Sequence, residues 1–493
     1  MISCLGIITK NRSETLNACL KTFLSNIKKN KHECQVVIVG DIDILQIQES
    51  LKSYVKSRNI DIRIIGHVEK RGFQNLLTKH NIPKSVVKFA LMGHPQLDID
   101  TGANRNNLLL YACGERYVSV DDDTQCICLR PPHFNLHLTF ANRRDPTFFW
   151  FPNSSSDFPG FETDRNFDFL AEHGQILSKK VTELKVNQIS PTNTNKSLHL
   201  PNFLQNSQNI DPRIRITFNG LYGDSGCEFP TYLLFLTGAS LRNLLRNPKT
   251  YFNAKTSRQV FRASLSYSIS DASVCMSTFI GLDGTVVLPP FMPSLRAQDG
   301  LFGEVVSHSL GQNSFCHLPF ALKHQPPMTR HHGVEAIYKD AFLFRVNDIL
   351  RFWVSEYSPS SNNKNSSESL RNLGSHFLKI GSLSTTEFSA LVTTTVHRQL
   401  EKLVKQLHEI PESLIFSVAE FEQDKKRLSD TIEKRLKQKW YPQDIAFNLK
   451  KETSIELLKS LTKKYGELLY WWPDIFELSK DLKRKGEQIA QII

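Results

Sequence analysis

Three adjacent carboxylates, Asp121, Asp122 and Asp123, are the residues whose types and spacing most directly suggest chemistry. They follow the apolar run 117–120, which is typical of a buried strand, so we expect the strand to end at the triplet. Carboxylates this close together repel one another, and a cation among them relieves the repulsion. The triplet therefore predicts a site for a divalent ion. A solvated turn or a helix cap is the structural alternative.

Predicted strands and helices alternate along the chain before the triplet. Short apolar runs typical of strands alternate with segments whose apolar residues recur with helical spacing. The predicted order is a strand over 1–9, a helix over 15–27, a strand over 35–39, a helix over 44–56 and a strand over 61–65. This alternation predicts an α/β fold with a parallel sheet and crossover helices.

Polar residues follow several of these predicted strands. Residues 9–12 follow the first strand, Asp41 follows the second, and the acidic triplet follows a later one. Parallel sheets bind ligands at the carboxyl ends of their strands. We therefore expect these residues to share one edge of the sheet.

A further helix is predicted over 102–114, immediately before the acidic strand. Arg105 lies near its first turn, where the positive end of the helix also favours an anion. It is expected to reach a phosphate or a base of a ligand. The alternative is an ordinary helix arginine that faces solvent.

With these segments assembled, the chain resembles the nucleotide-sugar-dependent glycosyltransferases of the GT-A fold, particularly the family 2 group. The segment Gly6-Ile-Ile-Thr-Lys-Asn-Arg12 looks like the first strand and turn of that family. The segment Gly102-Ala-Asn-Arg-Asn106 looks like its arginine-bearing helix, which precedes the Asp-X-Asp motif. The resemblance implies a Rossmann-like core for nucleoside-diphospho-sugar transfer.

Two downstream segments extend the resemblance. Residues 296–303 look like the acceptor-side acidic motif of the family, with Gln298 in its first place and Asp299 in its second. Asp299 is similar to the residue that serves as general base in such enzymes. The apolar run 316–324 ends in His324, a position from which related enzymes take a late metal ligand.

The resemblance implies a reaction in which a divalent ion, Mn²⁺ or Mg²⁺, neutralises the charge that develops on the departing diphosphate. Asp123 and His324 would hold the ion. Asp299 would take a proton from the acceptor hydroxyl or thiol, so that in-line attack inverts the anomeric centre. The donor-binding residues that it implies are Thr9, Arg12, Asp41, Arg105, Asp121 and Asp122.

Structural alternatives remain for these assignments. Asp299 is also a candidate cap for a helix over 301–309, and Asp41 is a candidate turn former. His324 is one of 16 histidines, several of them nearby, so its position alone does not select it. Two other functions stay open: a nucleotidyltransferase of similar core, and a non-catalytic binding scaffold. The first normally opens with a Gly-rich phosphate loop that residues 6–12 lack.

The domain organisation is predicted in three parts. A catalytic domain covers 1–330 with an insertion over about 148–225, a connecting segment with a polar loop covers 331–370, and a helical domain covers 371–493. The segment 214–226 resembles a strand that runs into a glycine-rich turn, with Asp224 as either a ligand contact or a turn former. Trp471 and Trp472 are predicted to fill a helix–helix seam or to grip an acceptor.

The composition of the chain indicates which classes of binding partner to expect. The formal net charge of +12 favours phosphate-bearing donors and acidic partners. No basic face interleaved with aromatic residues and no nucleic-acid-binding motif stands out, so nucleic acid is not expected. A UDP-sugar is the favoured donor by analogy, and the acceptor is a saccharide, peptide, lipid or small natural product. Oligomerisation through the helical domain is possible.

The cellular compartment is predicted from apolar stretches, the N-terminal sequence and the cysteines. No apolar stretch approaches the roughly 20 residues that cross a bilayer, and no signal-peptide pattern follows Met1. The nine cysteines include no Cys-x-x-Cys pair, which indicates reduced thiols rather than zinc or redox chemistry. We expect a cytoplasmic protein.

Overall fold

The computed structural model describes residues 1–10, 12–40, 61–141, 145–152, 158, 160–184, 213–270, 275–311, 314–338, 344–358, 365–409, 418–446, 449–487 and 491–492. Asp41 and the helix predicted over 44–56 lie outside these residues, as does most of the polar loop predicted near residue 360. No helix in the described ranges has the length and apolar character that a bilayer-spanning segment needs.

The strands are β1 (Cys4–Thr9), β2 (Gln35–Gly40), β3 (Ile62–Ile65), β4 (Arg116–Asp121), β5 (Thr124–Arg130), β6 (Leu138–Ala141), β7 (Phe148–Trp150), β8 (Glu162–Thr163), β9 (Ile216–Asp224), β10 (Gln259–Ala263), β11 (Tyr267–Ser270), β12 (Phe279–Asp283), β13 (Phe315–His324) and β14 (Gln491–Ile492). The α-helices are α1 (Ser13–Lys29), α2 (His67–Lys79), α3 (Lys84–Met92), α4 (Thr101–Tyr111), α5 (Phe169–Gly174), α6 (Gly238–Leu244), α7 (Pro248–Thr256), α8 (Gln298–Leu310), α9 (Val346–Glu356), α10 (Ser366–Gly381), α11 (Thr385–His408), α12 (Ala419–Leu436), α13 (Gln443–Ala446) and α14 (Lys451–Arg484). The fold is therefore α/β with a mixed sheet.

The first four strands form the parallel part of the sheet in the order β3-β2-β1-β4. This confirms the prediction of a parallel sheet with crossover helices. Every residue of β1 is buried, as expected for a strand covered on both faces. Helix α1 buries the face that carries Leu16, Leu20 and Phe23, which is the face predicted from helical spacing.

The register of β1 and β4 brings two polar segments together. Ile8 lies opposite Asp121, so the chain that leaves β1 at Thr9 meets the chain that leaves β4 at Asp122. The backbone N–H of Asp122 donates to the carbonyl of Ile8 at 3.0 Å and holds this junction. Residues 9–12 and the acidic triplet therefore share one edge of the sheet, as predicted.

The remaining strands extend the sheet with mixed directions. Beyond β4 the order is β12, β9, β13, β11 and β6, and β12 is antiparallel to both of its neighbours. Strand β5 leaves the triplet and pairs with β13, so that Thr124 lies opposite His324. Two segments about 200 residues apart in the chain thus meet at the end of the sheet where the carboxylates lie.

The segment predicted as an insertion, about 148–225, contributes strands to the sheet. Strand β9, at the end of that segment, is an inner strand of the sheet between β12 and β13. Helix α5 begins after Asp168, whose side chain accepts from the N–H of Ala171, and it ends at Gly174. A short 3-10 helix, Val181–Glu183, follows it.

The C-terminal helices pack on the α/β core. A continuous hydrophobic core extends from β1 to α14 within the described residues. Trp472 on α14 is fully buried, and its indole N–H donates to the carbonyl of Leu288 at 2.7 Å. This supports the packing role for Trp472. The domain boundaries themselves stay predictions, and helices begin at Val346, inside the predicted connecting segment.

Candidate active site

Asp122 is the buried centre of the acidic triplet. Its side chain has no exposed surface, and its Oδ2 accepts from the Thr9 hydroxyl at 2.6 Å and from Arg12 Nε at 3.2 Å. The Arg12 Nη2 group donates to Oδ1 of the same carboxylate. Thr9, Arg12 and Asp122, all predicted to bind the donor, are thus brought together. Their direct contact with a donor stays a prediction.

Asp121 pairs with Arg105 from the preceding helix. Arg105 is 3% exposed and its Nη2 donates to Asp121 Oδ1 at 2.6 Å. Its Nη1 also donates to the Ser119 hydroxyl at 3.4 Å. The structure excludes the solvent-facing alternative for Arg105. Asp121 itself keeps 26% of its side chain exposed, so a ligand can reach this carboxylate.

Asp123 lies between the Arg12 guanidinium and the His324 imidazole. Arg12 Nη1 donates to its Oδ2 at 3.2 Å, and His324 Nε2 lies 3.4 Å from its Oδ1. The prediction that Asp123 and His324 lie side by side is confirmed. The proximity arises from β5–β13 pairing, together with a backbone hydrogen bond of 2.8 Å from the N–H of Gln325 to the carbonyl of Asp123.

His324 is oriented by the turn that ends β9. Its Nδ1 lies 2.6 Å from the carbonyl oxygen of Asp224 and donates to it. Gly223 makes this approach possible, because a Cβ there would lie 2.5 Å from the His324 carbonyl oxygen, and its φ is +100°. The glycine-rich turn allows this close approach, and its contact with a ligand stays a prediction. The backbone that approaches Gly223 belongs to β13, another strand of the protein.

Asp224 is a structural residue of this turn. It is 1% exposed and accepts from Arg330 Nε at 2.9 Å and Arg330 Nη2 at 2.7 Å. Arg258 Nη2 lies 3.2 Å from it, and the N–H of Gly226 donates to it at 2.8 Å. Sequence reasoning missed both arginines, since neither lies near a motif and only the strand pairing brings them to Asp224.

The three carboxylates have different electrostatic environments. Burial raises the pKa of Asp121 to about 6, although Arg105 opposes the change. Burial also raises the pKa of Asp122, and Arg12 opposes it. At Asp123 burial favours the neutral acid, but the hydrogen bond and charge of His324 outweigh it and lower the pKa. Asp123 is therefore the carboxylate held most firmly in its ionised form.

The cations beside the triplet in the structure are guanidinium groups. Arg105 pairs with Asp121, and Arg12 bridges Asp122 and Asp123. The two arginines therefore supply positive charge at the place where the sequence predicts a cation. Metal binding itself stays a prediction, and it depends on the Asp123–His324 pair.

That pair fits a divalent ion. Because Nδ1 of His324 donates to a carbonyl, the lone pair of the neutral ring lies on Nε2, which faces Asp123. Metal-binding histidines are commonly oriented by such a hydrogen bond from their other nitrogen. Among the described residues no group of three or more His, Cys, Asp or Glu side chains is arranged to hold a metal ion. An ion bound by this pair would therefore need ligands from elsewhere, such as diphosphate oxygens.

Asp299 lies in the first turn of α8 and is partly exposed. Its Oδ1 accepts from the N–H of Gly300 at 3.0 Å, while the residue at the N-cap position is Ala297. The Asp299 carboxylate and the Arg105 guanidinium both influence the buried Cys275 thiol, whose pKa burial raises; Asp299 raises it further and Arg105 opposes the rise.

Comparisons with known proteins give little beyond this geometry. No known protein family and no curated protein sequence matches the chain. Two crystal structures of S. aureus TarS 1–349, one of them in complex with UDP-GlcNAc, resemble it with a TM-score of 0.32 and 12% identity. Each alignment covers 90% of this chain and 93% of that chain. Similarity at this level assigns neither a fold nor a function.

Proposed function

We propose that the protein is a glycosyltransferase that moves a sugar from a nucleoside diphosphate sugar to an acceptor. The observation that supports this most is the Asp123–His324 pair at the carboxyl edge of the parallel strands. Parallel sheets of this order bind nucleotides at that edge. Arg12 and Arg105 place two further cationic groups there, which suits a diphosphate.

Asp123 and His324 are the residues that would hold Mn²⁺ or Mg²⁺, which when bound would supply Lewis-acid stabilisation of the leaving diphosphate. The carbonyl of Asp224 keeps His324 Nε2 directed at Asp123. Arg12, whose side chain is 39% exposed, can donate to diphosphate oxygens while still adjoining Asp122. Asp121 is the member of the triplet with the most exposed surface, and we assign it to the donor ribose or sugar.

Asp299 is the proposed general base. Its carboxylate is partly exposed in the first turn of α8, where an acceptor can reach it. A base on the side opposite to the leaving group is the arrangement that in-line displacement requires, and it inverts the anomeric configuration. The acceptor hydroxyl or thiol would lose its proton to Asp299 as it attacks.

A nucleotide-release assay tests the proposal. The purified chain is incubated with a panel of UDP-, GDP- and TDP-sugars, including UDP-GlcNAc, with and without Mn²⁺. We expect release of a nucleoside diphosphate from one donor and only with the metal. Release of a sugar 1-phosphate would indicate nucleotidyl transfer instead. Absence of any release, together with absence of nucleotide binding, would favour the scaffold alternative.

A further inference from the structure

A cavity of about 800 Å³ lies beside the proposed donor site and shares only His324 with it. Its floor is formed by the ends of β9 and β13, and one wall is formed by α7. Neither the acidic triplet nor Asp299 lines it. A large concave site next to a proposed catalytic centre is a candidate binding site for a second ligand.

Positive charge around this cavity exceeds negative charge. Lys249 and Lys323 line it, and their side chains form no ion pair or hydrogen bond within the described part of the chain. Asp224 is its one acidic lining residue among those described, and Arg330 and Arg258 already pair with that carboxylate. Two lysines therefore remain without a counter-charge at the same concave surface.

Arg258 lies beside the cavity without lining it, and it pairs with the cavity's acidic residue, Asp224. It lies between two lining residues, Ser257 and Gln259, and is 9% exposed. Its Nε has no hydrogen-bond partner among the described residues, which is costly for a buried charged group. Burial, together with the like charge of Arg330, lowers the pKa of Arg258 despite Asp224. An anion bound nearby would offset this excess charge.

Six other lining residues carry side-chain amides or hydroxyls, which suit a ligand rich in hydroxyl groups. Side-chain amides and hydroxyls can both donate to and accept from such groups. The lining residues of this kind are Asn253, Thr256, Ser257, Gln259, Gln325 and Thr329. Tyr222 adds an aromatic side chain to the lining. The apolar lining residues are Ile127, Pro152, Ala254, Pro326 and Pro327, against which the C–H faces of a sugar ring can pack.

We propose that this cavity binds an anionic saccharide, whose phosphate or carboxylate group pairs with Lys249 and Lys323. If the proposed function holds, this ligand is part of the acceptor, and the cavity holds a portion remote from the reacting hydroxyl. Binding energy from remote substrate parts is a common source of acceptor selectivity.

Equilibrium dialysis at low ionic strength with labelled ligands tests the cavity. The probes are glucose 6-phosphate, glucuronate, glucose and inorganic phosphate, each with and without UDP and Mn²⁺ to block the donor site. We expect at least one anionic sugar to bind at least tenfold more tightly than glucose or inorganic phosphate, and to do so also with the donor site blocked. Tight binding of glucose 6-phosphate would identify a phosphate as the charged group, and tight binding of glucuronate would identify a carboxylate.

Charge-reversal variants locate the binding. Lys249→Glu combined with Lys323→Glu should weaken binding of the anionic sugar at least tenfold, while Lys88→Glu, at an exposed position outside the cavity, should leave it unchanged. Equal binding of charged and neutral sugars, equal binding of inorganic phosphate, or an unaffected double variant would overturn the assignment. Nucleotide release is measured separately, so failure of the proposed function and failure of the cavity assignment are distinguishable.

Discussion

At the scale of single residues, Asp123 differs from its neighbours because two cationic groups approach its two oxygens. His324 lies at Oδ1 and Arg12 at Oδ2, and the pKa of Asp123 is lowered despite burial. An ionised carboxylate and a neighbouring imidazole can bind a metal ion together. If the imidazole is protonated, metal binding releases that proton. This makes the pair the most informative place for substitution.

We expect Asp123→Asn to reduce Mn²⁺ affinity by roughly 100-fold or more, because it removes the charged ligand of a two-residue site. The measurement is Mn²⁺ binding by electron paramagnetic resonance, with nucleotide present. Asp430→Asn, at an exposed position on α12, serves as the matched control. Unchanged Mn²⁺ affinity in Asp123→Asn would remove this residue from the proposed metal site.

The Asp299→Asn variant tests whether this residue acts in the transfer step rather than in nucleotide binding. We expect nucleotide binding to stay within about twofold of the wild type, since no donor-binding role is assigned to this residue. Transfer should fall by roughly 100- to 10,000-fold, the usual contribution of a general base. Steady-state kinetics would show the loss in kcat, and a variant with full transfer activity would show that Asp299 is not the base.

At the scale of secondary structure, the elements that sequence predicted well are those with local signals. Strands β1 and β2 and helix α1 carry continuous or periodic apolar patterns, and their observed bounds lie within a few residues of the predicted ones. The pairing of β5 with β13 has no such signal, because it depends on the assembled sheet. For the same reason the arginines around Asp224 could not be predicted, whereas the triplet and His324 could.

A buried histidine links α5 to β9 and makes the fold sensitive to acid. His173 is fully buried; its Nε2 donates to Asn219 Oδ1 at 2.7 Å, and its Nδ1 accepts from the Thr217 hydroxyl at 2.6 Å. Burial lowers its pKa to about 4 from the usual 6.5. Between these pH values the unfolded chain binds more protons than the folded protein, so stability falls as pH falls.

We expect this histidine to contribute a loss on the order of 3 kcal/mol in the free energy of unfolding between pH 7 and pH 4. Denaturant unfolding of the wild type and of His173→Gln across this range measures it. The variant cannot take up the proton, so its stability should decline less steeply. Identical pH dependence in the two proteins would contradict the assignment.

Gly281 in β12 tests the packing of the same region. A Cβ at this position would lie 2.2 Å from Thr217 Oγ1 and 2.6 Å from His173 Nδ1. We expect Gly281→Ala to destabilise the protein by about 1–3 kcal/mol, the usual cost of overpacking. Gly72→Ala, on the exposed face of α2 with no atom within 4 Å of the new Cβ, should instead stabilise it by about 0.4–1 kcal/mol. Thermal unfolding of both variants checks the opposite signs.

At the scale of the whole molecule, the C-terminal helices and the α/β sheet share one hydrophobic core. Helix α14 contacts the core through Trp472, and Lys483 near its end pairs with Glu115 at 2.8 Å. Sequence predicted the amphipathic helices from their periodicity, but it did not show which surface they cover. The surface that the helices cover depends on complementary shapes formed by segments that are distant in the sequence.

We expect the helices and the sheet to unfold in a single transition, because neither part keeps its buried surface without the other. Trp472→Ala should lower the unfolding free energy by about 3–5 kcal/mol, and Trp471→Ala, at a half-buried position, should lower it much less. Circular dichroism and tryptophan fluorescence would follow the transition. Two separate transitions, with only one shifted by Trp472→Ala, would indicate independent domains.

Titration of UDP into the protein by calorimetry, with and without Mn²⁺, tests the central claim most directly. We predict that UDP binds when Mn²⁺ is present, that removal of the metal with a chelator weakens binding by at least tenfold, and that His324→Ala reproduces this loss. If correctly folded protein takes up neither UDP nor any other nucleoside diphosphate, with or without the metal, the proposed donor site is contradicted.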